Sequence, residues 1–70
     1  MVLARVVSHS LRSAHGLPDV GWYRVLDSDP AGETPGVAGG YAWIVIKGSP
    51  RQIWIGHLEF RDLPAHLLRL

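Results

Sequence analysis

The segment 39–60, GGYAWIVIKGSPRQIWIGHLEF, reads as two apolar strands joined by a short basic turn. In the first strand Tyr41, Trp43 and Val45 point one way, and Ala42, Ile44 and Ile46 point the other. In the second, Ile53 and Ile55 oppose Gln52 and Trp54. A strand with one wet face alternates apolar and polar residues, whereas a strand apolar on both faces is covered on both. A chain of 70 residues has little material to cover two faces of a sheet. Either the sheet curls into a barrel around one face and something else covers the other, or a second copy of the chain does.

Composition narrows the class. The length allows one domain, residues 1–70, and 47% hydrophobic residues make it globular. There is no cysteine, so neither a disulfide nor a thiolate zinc site can staple it. Chains this small often need a staple or a partner, which favours a homo-oligomer, a dimer or tetramer. A net charge of +1 gives no strong pointer to nucleic acid. The opening MVLARVV is too short to span a bilayer, so no membrane role and a cytoplasmic location are expected.

Outward from the central segment, Val2–Val7 and Val20–Leu26 read as strands from their β-branched and aromatic residues. Residues 8–19 read as a long irregular loop, and residues 27–40, with two prolines and four glycines, as a flexible acidic one. The turn in the central hairpin is placed at Gly48-Ser49-Pro50. Gly56 sits where the apolar phase shifts, which suggests a bulge or a sharp bend needing positive φ and divides 51–60 into two strands. Asp62, Pro64, Leu63 and Leu67 suggest a short C-terminal helical turn. Together these elements predict an all-β protein, a small Src-homology-3-like β-barrel of four to five strands.

Several sites are weighed and set aside. His57 and Glu59 share a strand face in this reading and His66 is near in sequence, but no cysteine or H-x-x-x-H partner completes a metal site. No metal site is expected. Asp27, Asp29 and Gly32 have the spacing of a calcium loop, yet Ala31 and Ala38 stand where oxygen ligands are required. Serines 8, 10 and 13 lie near His9 and His15 without a nucleophile-elbow motif. What remains is Lys47 and Arg51 flanking the central turn, with Trp43 and Trp54 close by. Cations beside aromatic rings suit phosphates, stacked bases or a protein hot spot.

Three short patterns, Val20-Gly21-Trp22-Tyr23, Gly40-Tyr41-Ala42 and Gln52-Ile53-Trp54, occur in the order of a known family. They resemble the VGWY, GYA and VQIY segments of the plasmid-borne type II dihydrofolate reductases. The resemblance implies a small barrel assembling as a tetramer around a central pore, with NADPH as cofactor. It further implies that Gln52, Ile53 and Trp54 would hold nicotinamide and pterin, with catalysis by proximity. The chain departs from the family at Arg51, where the family has valine, and at Trp54, where it has tyrosine. The leading expectation is therefore a non-catalytic binding module with no cofactor. It would self-associate and contact a protein or a nucleic acid through Trp43, Lys47, Arg51, Gln52 and Trp54. The alternative is an NADPH-dependent reductase.

Overall fold

The computed structural model describes residues 1–17 and 21–62. The expected C-terminal helical turn lies outside the described residues. The elements are β1 (Leu3–Val6), α1 (His9–Ala14), β2 (Tyr23–Arg24), β3 (Val37–Ala38), β4 (Tyr41–Ile46), β5 (Ser49–Trp54), a single 3-10 turn (Ile55–His57) and β6 (Leu58–Arg61). Two antiparallel three-stranded sheets form, in the orders β2-β1-β6 and β3-β4-β5. The described residues are thus mostly β, with one short helix. Neither sheet closes on itself.

Alternation builds the core as the sequence requires. Ala42, Ile44 and Ile46 of β4 and Ile53 of β5 point inward, and Ala4 and Val6 of β1 meet them from the other sheet. Val25, Val37 and Leu17 complete the buried hydrophobic set among the described residues, none of which buries a polar or charged side chain. The sheets are joined at two corners. The chain leaving β2 switches sheets: the Val25 N–H donates to the Val2 carbonyl, and the Leu26 N–H donates to that of Trp43 on β4. Opposite, the 3-10 turn links β5 to β6, with the Ile55 N–H on the Gly40 carbonyl and the Val7 N–H on that of His57.

Four local expectations are corrected. Residues 9–14, expected within an irregular loop, form α1. The Ser8 hydroxyl caps it by accepting from the Leu11 N–H at 3.3 Å. At the far end Gly16 takes φ +69°, so the Gly16 N–H reaches the Ser13 carbonyl and the Leu17 N–H reaches that of Arg12. This is the glycine-terminated helix stop in which the following apolar residue, here buried Leu17, anchors the end. The central turn is one residue earlier than expected. Lys47 and Gly48, at φ +52° and +79°, make a two-residue turn closed by the Ile46–Ser49 pair. Pro50 then falls in the strand, opposite Val45, and its missing N–H faces the free edge of β5.

The acidic segment 27–36 is held as a hairpin-like loop rather than left featureless. The Gly36 N–H donates to the Asp27 carbonyl, the Asp29 N–H donates to the Thr34 carbonyl, and Ser28 bridges Pro35. Within it, the Asp29 carboxylate accepts from the Glu33 N–H at 2.9 Å and the Thr34 hydroxyl at 2.6 Å. Finally, Gly56 belongs to the 3-10 turn and is not among the positive-φ glycines. It is small for another reason: a Cβ there would overlap the six-membered ring of Trp54.

Candidate functional site

The outward face of β4 and β5 follows directly from the register. Tyr41 lies opposite Trp54, Trp43 opposite Gln52, and Val45 opposite Pro50. These six side chains share one side of the sheet, opposite the core. Tyr41 is 46% exposed and Trp54 52%, while Trp43 and Val45 are half-buried. Trp54 has a fixed seat despite its exposure. Its indole meets His57 edge-on with ring centroids 5.1 Å apart, crosses Gly56, and runs beside Gly40. The expected doubly apolar hairpin is therefore present, with one face buried and the other, among the described residues, partly exposed.

The basic residues expected beside these rings are elsewhere. Arg51 pairs with Ile44 and so alternates to the core side, where it is exposed because β5 is an edge strand. Lys47 sits on the turn, and its Nζ reaches toward Gly16 at the end of α1. Trp43, Gln52 and Trp54 are brought together; Lys47 and Arg51 do not join them. Ile53, which the family resemblance would assign to a pore, is 3% exposed in the core of this chain.

Cations and an aromatic ring do meet, on the other sheet. Across β2, β1 and β6, Leu3 is flanked by Arg24 on one side and Arg61 on the other, and Arg5 lies opposite Glu59. Tyr23 packs against the core, so Trp22 and Arg24 face outward with this row. The guanidinium carbons of Arg5 and Arg61 stand 5.1 Å and 5.0 Å from the centroid of the Trp22 ring, both within cation–π range. Arg5 also donates from Nη2 and Nε to one oxygen of Glu59, at 2.7 Å and 3.0 Å. Sequence reasoning missed this cluster. Trp22 and Arg5 each fall inside a segment that reads as a strand, with nothing local to join them, and the pairing of β1 with β6 is remote in sequence.

The remaining candidates resolve into structural roles. His57 is in the 3-10 turn and not on a strand face with Glu59, which is committed to Arg5. Among the described residues no three His, Cys, Asp or Glu side chains converge on a point, and no pocket opens. The Thr34 hydroxyl, with help from the Glu33 amide, holds the Asp29 carboxyl below its ordinary pKa. That carboxylate organises its loop. Among the described residues no helix is long and apolar enough to cross a membrane. Comparison with protein families, curated proteins and solved structures finds no match to this chain.

Proposed function

We propose that this chain is a non-catalytic binding module, a small Src-homology-3-like barrel that self-associates through the outward face of β4 and β5. One observation carries the reading. Tyr41, Trp43, Val45 and Trp54 share one face of a sheet whose opposite face carries the core, and among the described residues Tyr41 and Trp54 on it stay about half exposed. Large aromatic residues seated in fixed positions are what interface hot spots are made of. A second copy laying the same face against this one would remove both from water, and a stable interface of this kind buries about 800 Å² on each partner. The passage of residues 23–26 from one sheet to the other, and the 3-10 turn before the last strand, support the barrel description. A protein or nucleic-acid partner would meet the assembled module at surfaces left exposed.

The test is the mass in solution. Light scattering at ~100 μM, well above the dissociation constants of stable complexes, is expected to give a multiple of the 7.7 kDa chain mass. Trp54→Ala should return it toward the monomer with the fold intact by circular dichroism. A monomeric unmodified protein would remove the self-association reading. Quenching of tryptophan fluorescence by NADPH, with dihydrofolate turnover that Gln52→Ala abolishes, would replace it with the reductase reading.

A further inference from the structure

We propose that the outward face of β2, β1 and β6 binds single-stranded nucleic acid, through Arg24 and Arg61 on phosphates and through the Trp22–guanidinium stack on bases. The small net charge of the chain conceals a concentration of charge. Arg5, Arg24 and Arg61 against Glu59 leave this face at +2, whereas the whole chain carries +1, so all other residues together sum to −1. Among the described residues the only ion pair is Arg5–Glu59. Arg24 and Arg61 occupy one cross-strand row with Leu3 between them, so their backbones stand two strand spacings, about 10 Å, apart. Arg24 and Arg61, neither in an ion pair among the described residues, are suited to anions in a row, because each guanidinium presents a planar fork of N–H donors, and Arg61 can do so from its place over the Trp22 ring.

The flat groups choose among the anions. An acidic peptide would engage only the charges. This face also offers an indole and two guanidinium planes packed on it, with half-buried Leu3 as an apolar floor. Unstacked bases lie on such planes, and stacking of this kind needs no particular sequence. A duplex keeps its bases inside and would use the arginines alone. Arg5 serves the ring more than the ligand: Glu59 fixes it at 2.7 Å, and it in turn steadies Trp22.

This surface is on the sheet opposite the proposed self-association face, so the two proposals stand or fall separately. The probe is a labelled oligothymidylate of about ten nucleotides, within the ~4–16 that one small barrel of the oligonucleotide-binding type covers. Anisotropy at about 50 mM salt is expected to show binding that quenches tryptophan emission and weakens about tenfold by about 200 mM. Arg24→Ala and Arg61→Ala should each weaken binding about tenfold and lower the slope of log affinity against log salt by about 0.7, one phosphate contact apiece. Both side chains are exposed, so the melting temperature should hold in Arg24→Ala and fall only slightly in Arg61→Ala, which also gives up its contact with the Trp22 ring. Trp54→Ala should leave binding of the short oligonucleotide unchanged. The proposal is overturned by any of four results: no binding at 50 mM salt; affinity unmoved in the Arg24→Ala/Arg61→Ala double variant; loss of binding instead in Lys47→Ala/Arg51→Ala; or polyglutamate or duplex DNA competing as well as the single strand.

Discussion

Gly36 is where one added methyl group would be felt most. Its N–H donates to Asp27 and its carbonyl accepts from Trp43, both at 2.9 Å, so its backbone is fixed from two sides. A Cβ there would overlap the carbonyl oxygen of Leu26, which itself belongs to the segment that joins the two sheets. Nothing at that contact can swing aside, because the obstacle is backbone. Gly56 differs in kind, since the atoms that a Cβ would meet belong to the outer ring of a half-exposed tryptophan. We expect Gly36→Ala to destabilise by about 3 kcal/mol or more, as overpacking against an immovable neighbour does. Gly56→Ala should cost about 1 kcal/mol and shift Trp54 fluorescence instead. Denaturant midpoints of the two variants check this, and equal midpoints would show that the Leu26–Gly36 crossing is looser than its hydrogen bonds imply. Gly39, which looks like a tolerant loop position in the sequence, has φ +61° and is itself strained by any side chain.

At the scale of elements, what was legible was what is local. The alternation of β4 divides its residues correctly into two faces, though with both apolar it does not say which is buried, and Gly39-Gly40, read within a flexible loop, makes instead a two-residue turn whose φ values, +61° and +82°, glycine adopts freely. Helix α1 reads as loop in the sequence: Ser8 caps it and Gly16 stops it, but six residues without apolar periodicity give no helical pattern to set between them. The aromatic-basic site was misassigned for a different reason. Proximity in sequence put Lys47 and Arg51 beside Trp54, whereas strand alternation sends Arg51 to the opposite face. The cluster that does form joins Arg5 to Glu59 across 54 positions, and no local pattern announces such a pairing. Lys47 gives this scale its own test. It occupies a left-handed conformation, φ +52°, that a long side chain adopts at a cost and asparagine adopts more readily. Lys47→Asn should therefore raise stability by about 0.5–1 kcal/mol. A lower melting temperature would mean that the reach of Lys47 Nζ toward the end of α1 outweighs the backbone strain.

For the whole molecule, the two open three-stranded sheets turn their outward faces in different directions and give them different chemistry. One is apolar and aromatic, the other cationic around a single indole. If copies join through the first, each assembly displays one arginine face per copy, and a strand long enough to reach two of them is bound twice. The second contact is then intramolecular, and linked contacts of this kind raise affinity well beyond either alone. Lengthening oligothymidylate from about ten to about forty nucleotides should thus tighten binding to the unmodified protein by on the order of a hundredfold. In Trp54→Ala the same lengthening should gain only the few-fold expected from more places to bind, although the short oligonucleotide binds both proteins equally. The four combinations of protein and strand length, measured at one salt concentration, separate the parts. A length effect that survives Trp54→Ala would mean that the assembly uses another surface. A length effect absent from both proteins, with short-strand binding intact, would leave the arginine face in place and remove the multivalent arrangement built on it.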